Sequence, residues 1–284
     1  MTSSLEDAWA QQSVWSQAAT KLKKRLQTGR QAAIGLAIGG ALLSATAATI
    51  GLESALGKIF AFSGAVFVGL AGIAGNAAGP RAMRDWTRAR SVSEALKSIV
   101  YTSLAGYPPA DLNKVVESIT ADTVDLQHHR AGIESKQRPL PSVRDLKSYL
   151  ENRVVAQISG YYRINARSLS LKLERFRMLS IGLAITGLVL GAAAGTWEVD
   201  RLAMWVPVVT TIGAGVTAHV AAERYSYMLL EYSRTADELE RIRDRRGRFA
   251  SMNDEDLVQH AEAVISIQNE GWMAKLNETD EPLI

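Results

Sequence analysis

"RQAAIGLAIGGALLSATAATIGLE", residues Arg30–Glu53, runs for 22 residues between its charged ends without an Asp, Glu, Lys or Arg. At about 1.5 Å of rise per residue, a helix of that length spans roughly 30 Å, the thickness of a bilayer's hydrocarbon core. The chain writes three more such gaps: Lys58–Arg81, Arg177–Glu198 and Arg201–Glu223, each 20 to 22 residues between charges. A buried core helix explains one gap, but not four of matched length. The sequence predicts four transmembrane helices, at 32–52, 59–79, 178–197 and 202–222.

Whole-chain averages conceal this segregation. Over 284 residues, 21% are charged and 47% hydrophobic, and the net charge is +3. A secretory signal peptide does not fit, because some thirty polar and amphipathic residues precede the first apolar stretch. The absence of cysteine excludes disulfides, thiolate metal sites and cysteine nucleophiles.

Short links make two antiparallel hairpins of the four spans. Lys21, Lys23, Lys24, Arg25 and Arg30 precede the first, and Arg81, Arg84, Arg88 and Arg90 follow the second. Arg163, Arg167, Lys172, Arg175 and Arg177 precede the third, and Arg224 and Arg234 follow the fourth. The tips carry only Lys58 and Arg201 against Glu53, Glu198 and Asp200. The positive-inside bias then places both termini and the central segment in the cytoplasm. Trp197 and Trp205 flank the second tip, where an amphipathic ring suits the interface. The basic residues are read as a topology signal rather than a nucleic-acid footprint.

The pentapeptide Ile34–Ile38 recurs at Ile181–Ile185, 147 positions later, and the echo extends well beyond it. Trp15 aligns with Tyr162, Leu22 with Leu169, Arg30 with Arg177, Gly40 with Gly187 and Glu53 with Asp200. After each hairpin a similar register returns with a three-residue slip, Arg90 and Glu94 against Arg234 and Glu238. This is an internal duplication. Each copy has an even number of spans, so the two share one orientation. Residues 1–105 form the first repeat and 149–247 the second. A helical connector lies between them at 106–148, and a helix and tail follow at 248–284.

Outside the spans the chain also reads as helix. Trp15, Ala18, Leu22 and Leu26 recur at helical spacing and run into the first span without a breaker. The segments Tyr149–Arg177 and Glu223–Arg245 are expected to continue the third and fourth spans into the cytoplasm in the same way. Ser91–Ala105 is an amphipathic helix closed by Gly106-Tyr107-Pro108-Pro109. Another helix is expected over Asp111–Asp125, then a polar loop containing His128, His129, Pro139 and Pro141. Asn253 is the N-cap of a last helix with Leu257, Ala261, Val264, Ile265, Gln268 and Trp272 on one face. No stretch alternates like a strand, so the expected fold is all-α: two tandem hairpins with long helices extending into a cytoplasmic helical bundle.

Four of these stretches carry a family resemblance: "ARSVSEALKSIVYTSLAGYPP" after the second span, "RPLPSVRDLKSYLENRVVAQISGYYRINA" before the third, "YSRTADELERI" after the fourth, and the terminal "AEAVISIQNEGWMAKL". With the spans, they resemble the SMODS and SLOG-associating two-transmembrane effector (SLATT) proteins, in a tandem two-hairpin form, over about residues 9–276. The resemblance implies a membrane effector of the bacterial inner membrane, pore-forming, serving conflict and nucleotide-signalling systems. It also implies a cytoplasmic sensor of a nucleotide signal as a partner, because no sensor domain is recognisable in this chain.

Enzyme signals are absent: there is no Walker loop, no GxGxxG after a strand and no HExxH. No catalytic residue, cofactor, metal or nucleic-acid partner is expected. His128 and His129 are adjacent, so on a helix they diverge by about 100° and do not form an i, i+4 metal pair. Three small-residue patterns, Gly35-x3-Gly39, Gly75-x3-Gly79 and Gly187-x3-Gly191-x3-Gly195, put glycines on single helix faces for close packing in lipid. Polar residues inside the spans are costly toward lipid and turn inward. Thr46, Thr49 and Glu53 make one stripe at i, i+3, i+7, and Thr210 and Thr217 lie on one face near His219. Asn76 stands toward the cytoplasmic end of the second span. Threonines in membrane helices also bond back to their own helix carbonyls, and the tip acids are also explained as solvated loop charges.

Two functions remain open. In one, chains assemble as a dimer or tetramer around an ion path. Glu53 and Asp200 collar that path with carboxylates and favour cations, and the cytoplasmic helices hold the gate. In the other, the spans only anchor a scaffold whose cytoplasmic helices recruit a partner.

Overall fold

The structure, a computed structural model, describes residues 2–121, 123–197, 200–222 and 224–277. For residues 2, 200, 201, 222 and 267–277 it describes the backbone alone. The described residues are helical, with no strand among them. The chain opens with α1 (Thr2–Ile50), α2 (Ala55–Ala77), α3 (Pro80–Leu104) and α4 (Leu112–Ala121). A 3-10 turn at Val124–Leu126, α5 (Gln127–Arg130) and α6 (Leu146–Tyr149) follow. Two π-helical turns, Leu150–Val155 and Ile158–Tyr162, lead into α7 (Arg163–Trp197). The chain ends with α8 (Asp200–Ala203), α9 (Val206–Ala222), α10 (Tyr225–Arg243), a 3-10 turn at Gly247–Phe249 and α11 (Asp254–Asn277).

Three helical stretches are long and apolar enough to cross a membrane: Ser3–Ile50, Ala55–Leu104 (counted across the short break at Ala78–Gly79) and Leu146–Trp197. The fourth apolar segment is divided. Trp205 turns the chain between α8 and α9, which leaves α9 with 17 residues, about 25 Å of helix. Pro207 sits in the first turn of α9, where no intrahelical donor is lost.

Helix continuity departs from expectation after each hairpin. α1 does run unbroken from the N-terminal amphipathic part into the first apolar stretch. After the second stretch, however, the helix stops at Ala77, and Pro80 opens α3 eleven residues before the expected start at Ser91. After the fourth, Arg224 takes a positive φ of 48° and α10 restarts at Tyr225. The helix expected over Asp111–Asp125 is shorter, as α4 plus the 3-10 turn, and His128 and His129 lie in α5 rather than a loop. Two boundaries read from sequence stand where expected. Gly106 closes α3 at φ 104°, and Asn253 caps α11, its Oδ1 accepting from Asp256 N at 2.7 Å.

The described chain divides into two compact units. The first gathers Met1–Arg25, Pro80–Ala166 and Leu230–Ile284; the second gathers Leu26–Gly79 and Arg167–Leu229. The first unit has an ordinary apolar core. Trp15, Ala19 and Leu22 of α1 pack with Ala89, Val92, Leu96 and Val100 of α3, Val116 of α4 and Leu126. Leu257, Ala261 and Ile265 of α11 are also buried, which fits the face assigned to that helix; the side chains of Gln268 and Trp272 lie outside the described residues.

The Pro-containing connector is strapped along α1. Trp9 Nε1 donates to Pro139 O at 3.0 Å, Lys136 N to Ser13 Oγ at 3.1 Å and Gln17 Nε2 to Glu134 O at 2.9 Å. The Arg138 guanidinium lies over the Trp9 ring, 3.5 Å from its centroid. These bonds satisfy backbone groups that a loop without secondary structure otherwise leaves to water.

The second unit contains all four apolar segments. Large apolar side chains stand exposed along it, among them Phe62, Ile73, Leu188 and Val189, each more than half exposed. In a water-soluble protein a surface of that kind is costly; in lipid it is the surface a helix needs.

Candidate functional site

The two helices of the first hairpin approach closely through small residues, with Phe67 and Val68 of α2 also against the glycines of α1. A Cβ on Gly40 would lie 3.0 Å from the carbonyl oxygen of Gly64, and one on Gly64 would lie 3.1 Å from that of Gly40 and 2.6 Å from Ser44 Oγ. A Cβ on Gly29 would lie 2.9 Å from the Ala78 methyl, and one on Gly75 would lie 4.0 Å from that of Ala33. The seam on α1 is therefore Gly29, Ala33, Gly40 and Ser44, facing Gly64, Gly75 and Ala78. Of the glycines expected to pack, Gly39 faces the Phe67 ring, from which an added Cβ would lie 3.0 Å, whereas Gly35 has open space beside it. Gly79 closes the end of α2, its N–H donating to Asn76 O at 3.1 Å.

The tip between α1 and α2 is fixed by Ser54, whose Oγ accepts from Gly57 N at 2.9 Å. Gly57 sits so near Gly51 that a Cβ would fall 2.0 Å from the Gly51 oxygen, and Gly51 itself has φ 89°. This turn alters one expectation. α1 ends at Ile50, so Glu53 leaves the helix and does not continue the stripe of Thr46 and Thr49; it is an exposed residue of the tip.

The second hairpin packs more loosely. A Cβ added to Gly187 would meet Val209 at 3.7 Å, an ordinary van der Waals contact, while Gly191 and Gly195 have open space beside them. At the other end of this hairpin Phe176 stacks on Tyr225, and Tyr225 Oη lies 3.3 Å from His219 Nε2. Asp200 is placed in α8, but its side chain lies outside the described residues, as do Glu198 and Glu223 altogether.

Each span threonine bonds into its own helix: Thr46 to Leu42 O, Thr49 to Thr46 O, Thr210 to Val206 O and Thr217 to Gly213 O, at 2.7–3.0 Å. Thr210, Thr217 and Asn76 are exposed on the chain's surface. Of the polar candidates, the structure joins Thr49 to Thr46 within α1, by the bond to its carbonyl.

A polar cluster that sequence reading did not single out lies in the first unit. Arg153, 1% exposed, forks onto Glu262 of α11, with Nε to Oε1 at 2.8 Å and Nη2 to Oε2 at 2.7 Å. Tyr149 Oη donates to the same Oε1 at 3.0 Å. Burial opposes the Arg153 charge, but Glu262 outweighs it and holds the guanidinium protonated more firmly than usual. On α3, burial pushes Glu94 upward, yet Arg90, Lys97 and Arg153 together hold its carboxyl below the usual value. Lys97 is depressed to about 8, first by burial and then by repulsion from Arg153. The Arg153 guanidinium also lies over the Tyr101 ring, 4.8 Å from its centroid. A fully buried charge pair contributes little net stability, because desolvation consumes most of its Coulomb gain. It connects α11 to the π-helical segment. The clue in the sequence was positional, since Glu262 shares the helical face of Val258, Ala261 and Ile265.

His128 and His129 do not diverge as expected. Their ring centroids lie 3.8 Å apart, but each has its own partner: His128 Nδ1 with Asp125 O at 2.8 Å, His129 Nε2 with Asp85 Oδ2 at 3.3 Å.

Residues 13–107, which include the first hairpin and α3, match a family described only as a protein of unknown function (DUF4231). No curated protein and no solved structure matches the chain. Residues 149–272 match the family described as SMODS and SLOG-associating 2TM effector domain 1. That match covers the second hairpin together with Tyr149, Arg153 and Glu262, and with the apolar helices it assigns the chain to a membrane. Over residues 149–272, a little under half of its length, the chain is therefore similar to the SMODS and SLOG-associating 2TM effector family.

Proposed function

We propose that the protein is an oligomeric channel or pore-forming effector of the bacterial inner membrane, cation-preferring and gated through its cytoplasmic helices. In this reading the apolar segments make four crossings, α8, the Trp205 turn and α9 together forming the last. Both termini lie in the cytoplasm, by the positive-inside bias. One observation carries the proposal. The polar span residues Asn76, Thr210 and Thr217 and the faces of Gly35, Gly191 and Gly195 are all unopposed in the single chain. Polar groups and small-residue faces in lipid find partners in neighbouring helices. Those partners are then supplied by further copies of the chain, as a dimer or tetramer, and the ion path runs between copies. The tip acids Glu53 and Asp200 give that path its preference for cations. The protein has no catalytic activity, cofactor, metal or nucleic-acid partner in this reading, and a cytoplasmic sensor of a nucleotide signal is its trigger.

The test is conductance. Purified protein in planar bilayers gives unitary currents with a cation preference, which falls in Glu53→Gln combined with Asp200→Asn. Silent bilayers containing folded oligomer favour a second reading, a membrane-anchored scaffold whose cytoplasmic helices recruit a partner. The back-bonding of Thr46, Thr49, Thr210 and Thr217 into their own helices is the observation on that side, because it leaves their hydroxyls less available to an ion.

A further inference from the structure

α7 enters its apolar stretch through a basic segment, Arg167, Lys172, Arg175 and Arg177 against the single acid Glu174. All four cations are exposed, and no acid among the described residues pairs with them. Other exposed arginines are held by acids: Arg163 by Asp237 and Glu240, and Arg243 by Asp244. Arg175 heads a column on one face of α7. Met178, Gly182, Ile185 and Val189 follow it at i+3, i+7, i+10 and i+14, the spacing of one helical stripe. Met178, Ile185 and Val189 are each more than half exposed, and Gly182 has open space beside it. Lys172 stands three residues before Arg175 on the adjoining side. Its Nζ lies 5.9 Å from the ring centroid of Tyr225 at the start of α10, and that ring stacks on Phe176.

The positive-inside bias explains charge at this end of the span, but not this arrangement. The internal duplication supplies the comparison. Arg25 matches Lys172, but Thr28 and Gln31 stand where the second copy has Arg175 and Met178. Arg30, the match of Arg177, has a partner. Of the two copies, the second therefore sets a pair of unpaired cations at the head of a bare apolar column.

We propose that this face of α7 binds one anionic phospholipid. Lys172 and Arg175 donate to the headgroup phosphate, and an acyl chain lies along Met178, Gly182, Ile185 and Val189. The order of charge and apolar surface along the helix is that of a phospholipid lying beside it, with phosphate at the interface and chain in the hydrocarbon. A zwitterionic headgroup brings its own cation toward Lys172 and Arg175, which opposes binding. A soluble phosphate leaves the apolar column uncovered. The inference rests on the reading that residues 178–197 lie in lipid, and it stands whether or not the protein conducts ions.

Full-length protein in neutral detergent is titrated with dioleoyl phosphatidylglycerol, or with phosphatidylcholine of the same chains, and bound lipid is read by native mass measurement. The tightest site is expected to hold phosphatidylglycerol about tenfold more strongly than phosphatidylcholine. Lys172→Gln and Arg175→Gln each weaken it about tenfold, the loss of one charged hydrogen bond. Arg177→Gln removes the same charge about 160° around α7 from Arg175 and leaves the affinity unchanged. Glycerol phosphate, the headgroup without chains, does not compete. Gel filtration checks that each variant is folded, and Lys172→Ala and Arg175→Ala replace any that is not. The proposal is overturned by equal affinity for the two lipids, by equal losses in all three variants, or by competition from glycerol phosphate. Alkaline carbonate extraction of membranes separates the site from the spanning reading. Protein released by carbonate overturns both, whereas retained protein that does not discriminate between the lipids overturns the site alone.

Discussion

Arg153 and Glu262, 109 positions apart in the chain, form a two-bond fork at 2.8 and 2.7 Å inside the first unit and so join the π-helical turn to α11. Removing one partner leaves the other charged and buried. Arg153→Met or Glu262→Met is expected to destabilise the protein by about 3–5 kcal/mol, whereas the double substitution costs far less. Thermal unfolding of the three variants in detergent checks this. Additive losses would show that the pair is not coupled.

Lys97 is charged at a cost. Its proton is held down to about 8 by burial and Arg153, against Glu94 and Glu262, with Arg90 of its own helix also repelling it. Between about 8 and the ordinary 10.5 the unfolded chain therefore binds the proton that the folded chain has released, and stability rises with pH across that window. Lys97→Met is expected to raise stability at pH 7 by about 1–3 kcal/mol and to flatten this pH dependence. Unfolding midpoints measured from pH 7 to 10.5 test both statements.

Gly40 and Gly64 approach each other through their backbones, so any side chain at either position separates α1 from α2. Gly64→Leu is expected to unfold or misinsert the first hairpin, seen as a loss of yield and of a monodisperse peak in detergent. Gly191→Leu, with open space beside it, leaves the chain folded and weakens contacts between chains. Cross-linking in membranes separates the two effects.

The apolar segments were legible in the sequence because a charge inside a span is too costly to hide, and its absence over 20 residues is visible without a structure. The breaks after each hairpin were less so. Pro80 signals a helix start, but Arg224 carries no signature of its positive φ. The packing glycines were half legible. With glycine at 35, 39 and 40, periodicity alone places small residues on adjacent faces, and only the register with Gly64 selects Gly40. The Arg153–Glu262 pair escaped because each is one charged residue in an amphipathic helix, which ordinarily signifies a solvated face.

An ion path depends most on association of chains, since a single copy leaves Asn76, Thr210 and Thr217 exposed on its surface. Native mass measurement of the protein in nanodiscs, at dilution, tests this directly. Two or four chains per particle are expected; one chain per particle across all dilutions would contradict an ion path between copies.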